Sequence, residues 1–332
     1  MCISDSTLFF ICKTLNVRRS DITYLAEQKI GMTNQSFLVF VHDKKYIIRI
    51  PGKGTDQLID RKQEADVYSK ILDKHICDNI IYFNPENGYK IAEYIEDSRT
   101  CDSNNLDDLK ICMKTLHRFH DLRLHVAHTF DLFEKIEFYE GLFYGGKSIY
   151  SDYHKTKENV FSLKTYIDLQ KKDYCLTHID AVPDNFLLIK GGEVRLIDWE
   201  YAGMQDPHVD IAMFCIYAMY DKQQVDQLID IYFDEKCDIS TRIKIYCYIA
   251  AGGLLWSNWC EYKCSLGEKF GEYSPRQYQY AKEYYNIVME ATNINEESGK
   301  SYYYGSRQRY QNVSDYIKNT ETISKNKWYS ND

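Results

Sequence analysis

Residues 176–200 read LTHIDAVPDNFLLIKGGEVRLIDWE. Two aspartates, Asp180 and Asp198, and one asparagine, Asn185, fall among apolar residues here. FLLI (186–189) predicts a short strand, GGE a tight turn, and VRLID (194–198) a second strand ending in Asp198. Asp180 and Asn185 then lie in the loop before the first strand, and a hairpin of this length brings its two ends together. Three oxygen-bearing side chains are expected to converge at one edge. Lone Asp and Asn residues usually cap helices or close turns, and Asp184 fits that role. The other three, with a hairpin between them, call for a different explanation.

Phosphoryl transfer from ATP needs such a set. One carboxylate accepts the hydrogen bond of the attacking hydroxyl, while a second carboxylate and an amide oxygen hold Mg²⁺ against the phosphates. The pattern H-x-D-x-x-x-x-N followed by a strand-terminal Asp is the kinase catalytic layout. Here His178 is present, Ile179 takes the place of the usual arginine, and Asp198-Trp199-Glu200 stands where D-F-G is expected.

The rest of the chain is consistent with an enzyme of two lobes sharing a cleft. Its 332 residues are long for one compact domain, and 44% are hydrophobic. A net charge of -8 argues against a nucleic-acid binder. The 11 cysteines show no CxxC pair, which argues against a zinc site. The N-terminal apolar run follows Asp5 and lacks a small-residue cleavage site, so it reads as a first helix. No apolar run approaches the roughly 18 residues needed to cross a bilayer. A reduced, cytoplasmic, soluble protein with free thiols is expected.

Along the chain, SFLVFVH (36–42) and KYIIRIP (45–51) predict a hairpin. A helix is expected over 58–74, then two short strands, NIIYFN and YKIAEYIE, around the turn PENG. From Asn105 the text is mainly helical, with a loop at CSLGEKFGEYSPR. The expected division is a strand-rich lobe over 1–97, a helical lobe over 98–294 and a polar, mobile tail over 295–332.

The stretch HIDAVPDNF…LIDWEYAGMQDPHVDIA resembles the choline kinase family, most closely the bacterial LicA-type choline kinases. GMTNQSF, YIIRIPGKGTDQLIDRKQE, IAEYIE and LLWSNWCEYKCSLGEKFGEYSPRQYQYA add to the likeness, which covers about residues 20–290. IDWEY and WSNW are specific to this group; H-x-D-x-x-x-x-N alone marks the wider superfamily. The resemblance implies an α+β, two-lobed protein-kinase-like fold, shared with aminoglycoside phosphotransferases. It implies an ATP- and Mg²⁺-dependent choline kinase, with Asp180 as base and Asn185 and Asp198 as metal ligands. By the same likeness Thr33 and Asn34 are phosphate-loop residues. Arg49, paired with Glu64, stands where kinases place a lysine, and Glu93 and Ile95 offer backbone contacts to adenine. A quaternary ammonium calls for aromatic faces. Tyr201, Trp256, Trp259 and Tyr278 are the expected cage, with Glu200 adding negative potential. Two tryptophans three apart on a helix are also ordinary core residues. Asp210 is expected to fix the catalytic loop, and His117, His120 and His125 read as helix and loop residues.

Other readings remain. An ethanolamine kinase would trade aromatics for carboxylates and carbonyls, because a primary ammonium donates hydrogen bonds. An aminoglycoside phosphotransferase calls for an open acidic cleft. A pseudokinase that binds without turnover would usually have lost Asp180, Asn185 or Asp198, and all three are present.

Overall fold

The structure, a computed structural model, describes residues 4–27, 33–143 and 146–297. Helix α1 (Asp5–Leu15) starts where the Ser4 hydroxyl accepts the Thr7 N–H and stops at Asn16, in the left-handed conformation. An antiparallel sheet follows, ordered β1 (Ile22–Glu27), β2 (Asn34–Val41), β3 (Lys44–Pro51), β5 (Lys90–Glu93), β4 (Ile80–Phe83). β2 and β3 are the expected hairpin, paired from Val41 with Lys44 to Asn34 with Pro51. Val39, Ile48 and Ile91 are fully buried with Ile11 of α1, which closes this small core. β1 carries no clear alternation of its own and was not foreseen. Between β3 and β4 runs α2 (Arg61–Ile71), shorter than the expected 58–74. Asp60 accepts the N–H groups of Lys62 and Gln63 and so fixes its start.

The second half opens with β6 (Ser98–Thr100), which pairs with β8 (Phe186–Ile189); β8 pairs in turn with β9 (Val194–Leu196). A separate pair, β7 (Cys175–Thr177) with β10 (Gly203–Gln205), was not foreseen. Around these strands lie α3 (Leu106–Asp121), α4 (Leu132–Glu140), α5 (Tyr153–Leu169), α6 (His208–Tyr217) and α7 (Lys222–Tyr232). The long α8 (Ile239–Ser265) is buried without a break from Ile243 to Lys263, so it is the axis of the larger core rather than a surface helix. α4, α5, α6 and α9 (Tyr273–Glu297) pack on it.

Two boundaries differ from expectation. Tyr273-Ser274-Pro275-Arg276, expected in a loop, forms the first turn of α9, where proline is tolerated. The boundary at 295 falls inside α9; residues 298–332 lie outside the described residues. The ten described cysteines are unpaired. Among the described residues no helix is long and apolar enough to cross a membrane.

Candidate active site

The loop after β7 is held by one buried carboxylate. Asp210, in the first turn of α6, accepts the backbone N–H of His178 at 3.0 Å and of Ile179 at 2.7 Å. Its Oδ2 also bonds His120 Nε2 at 2.9 Å, and His120 Nδ1 pairs with the Tyr232 hydroxyl at 2.8 Å. These bonds hold Ile179 at φ +69°, a rare state for a β-branched residue that persists only where the surroundings enforce it. Asp210 thus fixes the loop, as expected, and His120 supports it from behind.

His178 ties this loop to the second carboxylate. Its Nε2 donates to the Ile197 carbonyl at 3.0 Å, and burial pushes the imidazole down to about 4, so it stays neutral. The Ile197 N–H donates to the Asn185 carbonyl at 2.9 Å. The chain then turns through Asp198 at φ +66°. The Asn185 amide donates to the Asp180 carbonyl at 2.8 Å and to its Oδ2 at 3.1 Å. Burial, then the charges of Asp198 and Glu200, push the Asp180 carboxyl up to about 8.

Beside this edge lies an interlocked charged cluster. Arg49 of β3 is only 3% exposed and Glu64 of α2 only 1%; they meet at 2.6 Å. The other arm of Arg49 donates to Asp198 Oδ1 at 2.9 Å. Arg61 bridges Glu64 at 2.7 Å and Glu200 at 2.8 Å. Asn34 donates to Glu200 at 2.9 Å and accepts from Arg61 at 3.3 Å. Glu200 and Asp198 come from the helical half and the other four from the first hundred residues, so the cluster joins the two halves.

Next to Glu200 the polar network gives way to rings. Tyr201 meets Trp256 edge-on with ring centres 5.3 Å apart, and Trp256 meets Trp259 at 6.0 Å. Trp259 Nε1 donates to the Tyr201 hydroxyl at 3.1 Å. α4 is anchored to α8 where the Asn258 amide donates to the Ile136 carbonyl at 3.1 Å. Tyr139 of α4 is fully buried. Burial pushes its phenol up, reinforced by Glu200 and Asp180, and Tyr201 responds to burial, Tyr139 and the same two carboxylates. Tyr217 and Tyr273, with ring centres 5.9 Å apart, are likewise raised by burial and also by Asp180.

A family model described as choline/ethanolamine kinase matches residues 26–248. The chain belongs to the choline/ethanolamine kinase family. Protein LicA of Haemophilus influenzae is 28% identical over 257 residues, 74% of this chain and 75% of that one. The crystal structure of choline kinase LicA from Streptococcus pneumoniae superposes with a TM-score of 0.74 at 30% identity, over 85% of this chain and all of that one. A structure of LicA in complex with AMP gives 0.73 at 30% identity, over 85% and 98%. The architecture is the expected two-lobed protein-kinase-like fold.

Within this family frame, the structure brings together Asp180, Asn185 and Asp198; Arg49 with Glu64; and Glu200, Tyr201, Trp256 and Trp259. It places Tyr278 elsewhere: its ring stacks on Tyr150 at 3.7 Å, and its hydroxyl bonds Asp152 at 2.8 Å and Thr156 at 2.9 Å. Among the described residues no ring contact joins it to the other three. Asn34 turns its side chain into the charged cluster, while Thr33 accepts the Gly52 N–H on its carbonyl at 3.0 Å. Gly31 and Met32 of the expected phosphate loop lie outside the described residues. At the junction of the halves, the Glu93 N–H already donates to the Asn79 carbonyl at 2.9 Å, and the Ile95 carbonyl accepts from the Ser98 hydroxyl at 2.7 Å. Sequence reasoning missed Arg61, Tyr139 and Tyr273.

The donor set fits a hard divalent cation. Asp198 and Asn185 offer carboxylate and amide oxygens of the kind Mg²⁺ takes. Glu64, Asp198 and Glu200 face two guanidinium groups, Arg49 and Arg61, while burial first, and then Asp198 and Glu200, hold the nearby Asp180 carboxyl up.

Proposed function

We propose that the chain transfers the γ-phosphate of ATP to the hydroxyl of choline, giving phosphocholine and ADP. The observation that carries this reading is the convergence of Asp180, Asn185 and Asp198 beside a buried aromatic group, Tyr201–Trp256–Trp259. In the transfer, the choline oxygen bonds to the γ-phosphorus as the bond from that phosphorus to the β,γ-bridging oxygen breaks, and the hydroxyl proton passes to the Asp180 carboxylate. Asp180, held by the Asn185 amide, orients the hydroxyl. Asn185 and Asp198 are the residues that would hold Mg²⁺, which supplies charge neutralisation at the phosphates when bound. Arg49 positions Asp198 and, with Thr33 and Asn34, forms the nucleotide side; Glu93 and Ile95 border the adenine. The ring faces of Tyr201, Trp256 and Trp259 suit a quaternary ammonium, which donates no N–H hydrogen bond, and Glu200 adds negative potential. The AMP complex of a similar LicA supports a nucleotide site.

The test is ATP consumption by the full chain with Mg²⁺, comparing choline, ethanolamine and an aminoglycoside at equal concentrations. Turnover with choline well above the others is expected. Preference for ethanolamine would overturn the aromatic assignment and leave the phosphoryl-transfer residues standing. No turnover with any of the three would overturn the acceptor class.

A further inference from the structure

The segment Pro51–Gln57 touches both sites. The Gly52 N–H donates to the Thr33 carbonyl, and a Cβ at position 52 would lie 2.4 Å from that oxygen, so only glycine permits the approach. Two residues on, Gly54 has φ +76°, and a Cβ there would lie 2.3 Å from Leu266 Cδ1 and 3.0 Å from the Tyr262 hydroxyl. The last turns of α8 meet the segment with polar groups. The Tyr262 hydroxyl bonds the Gly54 carbonyl at 3.3 Å and Gln57 Oε1 at 3.1 Å. Lys263, 1% exposed, donates to the Lys53 carbonyl at 3.0 Å, and Lys53 donates back to the Leu266 carbonyl at 3.3 Å. The Lys263 ammonium also lies 5.9 Å from the centre of the Trp259 ring. Tyr262 and Lys263 follow Trp259 by one helical turn. On another side the segment borders a cavity of about 810 Å³.

We propose that Pro51–Gln57 is a strut that transmits position between Thr33 and the acceptor end of α8, so that nucleotide and acceptor each favour binding of the other. The proposal rests on the function proposed above for what fills the two ends. Tyr262 and Lys263 are positioning residues: they act through the strut. Coupling of this kind is reciprocal by thermodynamic necessity.

The experiment titrates the full chain, with Mg²⁺, with a non-hydrolysable ATP analogue in the presence and absence of saturating choline. Choline is expected to tighten the analogue about fivefold or more. Tyr262→Phe keeps the ring and removes the hydroxyl; Gly54→Ala strains the backbone at φ +76° and crowds the Leu266 and Tyr262 side chains that meet the segment. In both, the analogue alone should bind within about twofold of wild type while the choline effect falls to within about twofold of none. Full coupling in both variants, or no coupling in a wild type that binds both ligands, overturns the strut. A wild type that binds no choline defeats the acceptor assignment instead. The strut is then read by hydrogen exchange: the analogue should slow exchange over residues 262–268 in wild type and not in Tyr262→Phe. Equal slowing in both would overturn it.

Discussion

The charged cluster and the aromatic group are neighbours along the chain, joined at Glu200 and Tyr201, yet they are held in different ways. In the cluster every member is bound to at least one other: Arg49 to Glu64 and Asp198, Arg61 to Glu64 and Glu200, Asn34 to Glu200 and Arg61. Removing one carboxylate leaves a buried guanidinium with only part of its compensation. The aromatic group is held mainly by ring packing, with two hydrogen bonds between side chains, from Trp259 to the Tyr201 hydroxyl and from Trp256 to Met213 Sδ. Rings can be exchanged at modest cost. The phosphoryl side is thus fixed as a unit, and the acceptor side is open to adjustment.

The comparison can be sharpened from its largest effect down. Asp180→Asn should lower kcat by about a thousandfold while leaving the affinity for an ATP analogue nearly intact, since the loss is of proton acceptance; full activity in this variant would break the catalytic assignment. Glu64→Gln takes from Arg49 and Arg61 the buried carboxylate they share and leaves them to Asp198 and Glu200, so chemical denaturation should show about 3 kcal/mol of lost stability, the lower end for a broken buried pair. A loss no larger than that of Trp256→Phe would erase the contrast between the two regions. Trp259→Leu should raise the KM for choline, by up to about thirtyfold for a cation–π contribution of about 2 kcal/mol, with the KM for ATP unchanged. Tyr278→Phe should leave both KM values alone, because its hydroxyl serves Asp152 and Thr156.

The smallest effect is one of pH. The Asp180 carboxyl is raised from 3.8 to about 8 in the folded chain, by burial first and then by Asp198 and Glu200. Between these values the folded state holds a proton that the unfolded chain has released. Stability without Mg²⁺ or nucleotide should therefore fall as pH rises through this window. Thermal melts at pH 5 and pH 9 should differ less in Asp180→Asn than in wild type; an equal difference would remove Asp180 as the source.

Much of the site could be read in the sequence because its signals are local. The hairpin β8–β9 follows from FLLI-KGGE-VRL, and it brings Asn185 and Asp198 to one edge, where Asp210 and His178 hold the loop that carries Asp180. Asp210 could be placed because it stands close after the second carboxylate at the start of a helix. The remainder depends on tertiary contacts. Arg61 opens α2, where the helix dipole disfavours a cation, and only burial against Glu64 and Glu200 explains it. β7 and β10 are three residues each and gain strand geometry from one another. Tyr139 and Tyr273 carry no local mark among 30 tyrosines. Tyr278 was expected in the cage from its place in the family likeness, but α9 turns it toward α5 and Tyr150.

The four residues Asp198-Trp199-Glu200-Tyr201 face four different sets of partners: Arg49, the Leu196 carbonyl and the His178 ring, Arg61 with Asn34, and Trp259. Their chemistry alternates with position, so the segment is a code read by spacing. Single substitutions here disturb one partner at a time. Inserting or deleting one residue would hand each side chain its neighbour's place, putting a ring among the arginines and a carboxylate among the rings. At this point chain length is a stricter requirement than the identity of any one residue.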